Sequence, residues 1–181
     1  MSEIDETDQY NFVDDVCNGE LEDVTKYVLK YGSKALITED GSERLPLVWA
    51  IIGGHQPVID FFLSENKAVI LPHINKSSNQ PGCTPLTAAV SREDGPSPES
   101  MRKLLHCGAN VEVEDQFGNT PLKAVVDFDH ADCLQVLLDS GAISLEIIPN
   151  KTEEEAREMA QDDNAAAAAL IKWMDAQRQC K

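Results

Sequence analysis

At 181 residues the chain is long enough for one modest domain or a short solenoid, and its hydrophobic content of 42% supports a core. With aromatics at 6%, it suits helices packed through Ala, Val and Leu better than a sheet sandwich. The formal net charge of -17 argues against nucleic acid and anionic membrane surfaces as partners.

The predicted elements begin after an acidic tail over residues 1–9, which lacks the apolar run of a signal peptide. Phe12, Val16, Leu21, Val24 and Val28 space out as two helices separated at Asn18-Gly19-Glu20 and closed at Gly32. Leu45-Pro46-Leu47 then opens a phrase that returns as Thr84-Pro85-Leu86 and Thr120-Pro121-Leu122. Thr before Pro supplies an N-cap and a first helical residue whose missing N–H costs nothing. Each phrase leads to a hydrophobic pair: Phe62-Leu63, Leu104-Leu105 and Leu137-Leu138. The last two pairs are followed by Gly-Ala, where glycine can take the left-handed helix stop. Asn110 to Gly118 has turn chemistry. A final pair of helices is expected over Glu153–Ala160 and from Ala165 to about Ala176, docking Leu170, Ile171, Trp173 and Met174.

The recurring phrase with its Gly-Ala stop, and Asp115-Gln116-Phe117-Gly118-Asn119-Thr120-Pro121-Leu122 above all, resembles the ankyrin repeat. The resemblance covers about residues 10–175. It implies an all-α solenoid of about five helix-turn-helix units with finger loops. Units are expected near 10–41, 42–78, 79–114, 115–147 and 148–176, the outer two acting as caps, with a C-terminal tail at 177–181. The spacing exceeds the usual repeat of about 33 residues, with 39 from Pro46 to Pro85 and 36 from Pro85 to Pro121. The surplus falls at 68–78, read as a lengthened second finger, and at 95–100, between two helices. Both stretches read either as specificity loops or as tolerated drift. Residues 11–63 further resemble a small cytosolic member of the family that sequesters actin capping protein, on Asn18-Gly19-Glu20-Leu21, Arg44, Pro46-Leu47, Gly54 and Phe62-Leu63.

No catalytic, cofactor or metal constellation stands out. The chain has no phosphate loop and no H-E-x-x-H. The five cysteines, Cys17, Cys83, Cys107, Cys133 and Cys180, include no C-x-x-C, which points to a reducing compartment, cytoplasm or nucleus. A thiol enzyme using Cys107 or Cys83 is the rival class, but adjacent His106 and Cys107 point apart on a helix. His55 and His130, at one repeat position, read as structural hydrogen-bonding residues. Binding is therefore the expected function. A monomer would hold another protein on its fingers and concave face, without nucleic acid, membrane or cofactor. The acidic charge would either serve solubility or select a basic surface. By the resemblance, the groove would present Arg44, Ile52, Gln80, Cys83, Ser91, Arg92, Gln116, Phe117, Asn119, Asp127 and Phe128. Phe117 and Phe128 read either as interface anchors or as residues folded back on their own fingers, and Trp49 as packing between units.

Overall fold

The computed structural model describes residues 6–79, 83–91, 95, 97–114 and 117–179. The described residues contain no strand, and ten of their eleven α-helices form five antiparallel pairs stacked in chain order. The pairs are α1 (Glu6–Asn18) with α2 (Leu21–Tyr31), and α3 (Pro46–Gly53) with α4 (Gln56–Asp60). Next come α6 (Pro85–Val90) with α7 (Pro98–His106), and α8 (Pro121–Asp127) with α9 (Ala131–Asp139). The stack closes with α10 (Asn150–Met159) and α11 (Ala165–Gln179). The short α5 (Lys67–Ile70) lies between the second and third pairs. First helices pack on first helices (α1 on α3, α3 on α6, α6 on α8), and one core runs from Phe12 to Met174.

The repeated Thr-Pro start works as its chemistry requires. Thr84 accepts from the Thr87 N–H at 3.3 Å, and Thr87 Oγ1 accepts the Thr84 N–H at 2.8 Å, closing a capping box over α6. Thr120 accepts from the Lys123 N–H and opens α8. Leu45 offers no such side chain, so α3 depends on burial of Leu47, Val48, Ala50 and Ile51.

The first unit begins earlier than the expected tail allows. Helix α1 reaches back to Glu6 because its first turns have partners on α2: Asp8 pairs with Lys30 at 2.7 Å and accepts the Tyr31 hydroxyl. Phe12 stacks on Tyr27 with ring centroids 4.2 Å apart. At the other end α11 extends to Gln179, into the expected C-terminal tail, and Arg178 there grips Glu153 of α10 at 2.6 Å.

The first two units meet around a histidine. His55 Nε2 lies 2.7 Å from the Cys17 carbonyl, with no side chain on Gly19 or Gly53 to crowd the ring. In the last pair Asn164 does the corresponding work. Its Nδ2 donates to the Val126 carbonyl at 2.8 Å, while its Oδ1 accepts the Ala167 N–H and caps α11. His130 is held differently: its backbone N–H donates to Val125 and its ring stacks near Phe128.

The surplus at 68–78 is not simply a longer finger. After α4 the chain makes a π-helical turn, Phe61–Glu65, then α5 and a 3-10 turn, Leu71–His73. The helical conformation arises because Ile70 and Ile74 are buried, and α5 packs on the equivalent 3-10 turn of the first unit, Ser33–Ile37, where Leu36 is buried. Of the second surplus, residues 98–100 form the first turn of α7. Ser97 caps that turn and ties its own N–H to the Ala89 carbonyl at 3.0 Å.

The C-terminal pair is knitted by charge. Glu153 accepts from Arg178 and Arg157, which together hold its carboxyl down at about 2. Lys123 of α8 bridges Asp127, at 2.8 Å, and Glu155 of α10, at 2.9 Å.

Candidate interaction surface

The inner helices and the fingers present one side of the stack. Ile52, Ser91 and Asp127 each stand seven residues after the start of their phrase, at Leu45, Thr84 and Thr120. Their helices α3, α6 and α8 pack in series, so the three positions form a row across successive units. Ile52 and Ser91 are exposed, while Asp127 is half-buried and engaged with Lys123. Phe128, next to Asp127, is 67% exposed, with its ring 6.0 Å from His130. Phe117, on the finger before α8, is 78% exposed. Asn119 and Cys83 are half-buried at the bases of their fingers. Gln80, Arg92 and Gln116 lie outside the described residues.

The first finger is a compact structure rather than a bare loop. Asp40 accepts from the Ser42 and Arg44 N–H groups at 2.7 and 2.9 Å, and its other oxygen accepts the Trp49 indole N–H at 2.7 Å. The Arg44 guanidinium lies 4.8 Å from the centre of the Trp49 ring. Trp49 is half-buried and packs against the core, as its repeat position suggests, while its polar edge finds Asp40 in the finger. The sequence reading missed Asp40, although Asp followed by Gly is a recognisable turn signal.

Neighbouring fingers are tied in line. The Asn79 N–H donates to Ser42, and Asn75 bridges to the Gly108 carbonyl and the Asn110 N–H. This fixes the spacing of the exposed finger carboxylates Glu43, Glu112 and Glu114, which were also missed one by one and visible only as net charge.

The thiols are placed for packing. Burial pushes Cys133 up to about 11, and Cys17 is raised by burial together with Asp14 and Asp40. A raised thiol supplies less thiolate, the nucleophilic form. Among the described residues no three His, Cys, Asp or Glu side chains are grouped to hold a metal ion, and no helix is long and apolar enough to cross a membrane.

Residues 14–115, just over half of the chain, match the family model for ankyrin repeats in three copies. Over 125 residues the chain is 27% identical to the E3 ubiquitin-protein ligase KEG of Arabidopsis thaliana, covering 69% of this chain and 7% of that protein. Over 95 residues it is 35% identical to zinc finger CCCH domain-containing protein 66 of the same plant, covering 52% of this chain and 14% of that protein. The chain therefore spans a small part of the length of either relative. Helices α8 to α11 continue the same stack past the matched residues. A stack of paired helices opened by Thr-Pro caps and carrying that match is an ankyrin domain, and the chain belongs to the ankyrin-repeat family.

Proposed function

We propose that the chain is a monomeric, non-enzymatic binding module of the cytoplasm. It holds a partner protein on its fingers and inner helices, as an adaptor or inhibitor. The observation that carries the reading is the placement of its phenylalanines. Phe12, Phe61 and Phe62 are buried, whereas Phe117 and Phe128 stand 78% and 67% exposed on the side where ankyrin stacks take their partners. An exposed ring offers a large apolar area to a partner pocket, and such anchors dominate interface energy. Ile52 and Ser91 extend the patch along the row, with Arg44, Asn119 and Asp127 at its edge. Gln80, Arg92 and Gln116 belong to the same proposed surface. The exposed carboxylates Glu43, Glu112 and Glu114 on aligned fingers favour a partner with a basic surface.

The double substitution Phe117→Ala/Phe128→Ala is expected to weaken partner binding by about 2 kcal/mol or more, roughly thirtyfold. The melting temperature should barely move, because neither ring is in the core. Affinity purification with each chain, followed by titration of the recovered partner, checks this. Equal affinities for both chains would remove the aromatic anchors from the site. Capture that does not weaken at higher salt would remove the basic-surface element.

A narrower reading rests on residues 11–63, which resemble myotrophin. In that reading the first two units sequester actin capping protein. The pure chain would then restore growth at capped barbed ends, and no effect in that assay ends the reading.

A further inference from the structure

The outer helices carry a second groove, of the opposite charge. It crosses the surface made by the π-helical turn, α5, α7 and α9 in two adjoining sections of about 260 and about 360 Å³, with Arg102 and His106 lining both. Its apolar floor includes Leu63, Leu105 and Val136, and Lys67 stands at one wall.

The charge at this place runs against the rest of the molecule. The chain has 32 acidic residues against 15 Lys and Arg. Most described cations are already neutralised: Lys26, Lys30, Lys76, Lys103, Lys123, Lys151, Arg157 and Arg178 all stand in ion pairs. Lys67 and Arg102 are exposed and have no ion-pair partner among the described residues. Both face the same section of groove, whose lining includes no carboxylate, whereas Lys103 beside them is already shared by Asp60 and Glu99. The adjoining section carries one carboxylate, Asp139, which accepts from the Gln135 side chain at 2.7 Å.

We infer that this groove docks an acidic peptide segment of a partner protein. Carboxylates of the segment sit between Lys67 and Arg102, and an aliphatic side chain rests on Leu105 and Val136. Charge complementarity selects the occupant. A long polyanion such as nucleic acid would meet the whole -17 field. A short segment places a few charges beside two uncompensated cations, and charges beyond about 8 Å are screened at physiological salt. The site is separate from the concave side, so the molecule would bridge two partners of opposite charge.

Fluorescence anisotropy with a labelled short peptide of alternating leucine and glutamate tests this, with a leucine–glutamine peptide as control. The glutamate peptide is expected to bind more weakly as salt rises, and the glutamine peptide not to bind. Lys67→Glu/Arg102→Glu should raise the Kd by about tenfold or more. Circular dichroism reports whether that chain is folded, and Lys67→Gln/Arg102→Gln gives the same direction with less perturbation. Phe117→Ala/Phe128→Ala should leave the Kd unchanged, which separates this groove from the concave surface. Absence of glutamate-peptide binding, equal binding of the glutamine peptide, or an unchanged Kd in both charge variants overturns the inference.

Discussion

Replacing Gly19 with alanine is expected to cost about 2–4 kcal/mol of stability, although it adds a single methyl group. Gly19 sits at φ +79°, in the left-handed region, where a side chain costs about 1–2 kcal/mol. The new Cβ would also stand 2.5 Å from Cγ and Nδ1 of His55, closer than atoms can approach. The ring must then leave its place, and the contact between His55 Nε2 and the Cys17 carbonyl at 2.7 Å is lost. That hydrogen bond is half-buried, and its loss costs about 0.5–1.5 kcal/mol beyond the strain. Gly53 cannot make room, since its own position lies against the Cys17 carbonyl and the same ring. Urea unfolding measures the loss. In a His55→Ala background the clash is absent, so Gly19→Ala should cost only its backbone share, leaving a coupling of about 1–2 kcal/mol. An identical cost in both backgrounds would show that the close approach does not hold the units together. Stacked repeats are stabilised by their neighbours, so the damage should appear first as faster hydrogen exchange in α1 and α2.

Phe62→Ala should cost about 3–5 kcal/mol, the range for emptying an aromatic site in a core. Phe62 is fully buried in the π-helical turn, edge-on to Phe61 at 6.0 Å. The site is poorly able to collapse, because Ile59 before it and Ile70 after it are both buried in the same cluster. The Asn66 side chain also donates to the Phe61 carbonyl at 2.9 Å and fixes the end of the turn. The comparison is with Phe128→Ala, where the same deletion at an exposed position should change stability by less than about 0.5 kcal/mol. Urea midpoints of the two chains separate the cases, and a Phe62→Ala loss below about 1 kcal/mol would mean the turn is not packed as described.

The helix pairs were legible because their signals are local. Thr84, Pro85 and Thr87 act within one turn, and Gly108, at φ +82°, closes α7 within a residue or two of where the pattern stops. The stack order was legible because the phrase repeats. Of the candidate surface only exposure can be compared: Ile52, Phe117 and Phe128, named as groove positions by the resemblance, are exposed. The packing of Trp49 on the core was legible from its repeat position, but not the partner of its indole N–H, Asp40, nine residues away. The helical conformation of residues 67–73 was also hidden, because α5, with Ile70 buried, packs on a first-unit turn more than thirty residues earlier.

What the amino-acid sequence determined by itself is the repeated helix pair and its end signals, all settled by contacts within a few residues. What only the tertiary structure decided lies across units. His55 to Cys17 and Asn164 to Val126 each span 38 residues, so nothing local announces that an asparagine takes the histidine's place. The same holds for Lys67 and Arg102. They are unremarkable as single basic residues in an acidic chain, and they become a shared groove wall because the stack sets Lys67 of α5 and Arg102 of α7 on one groove, while most of the other described cations stand in ion pairs.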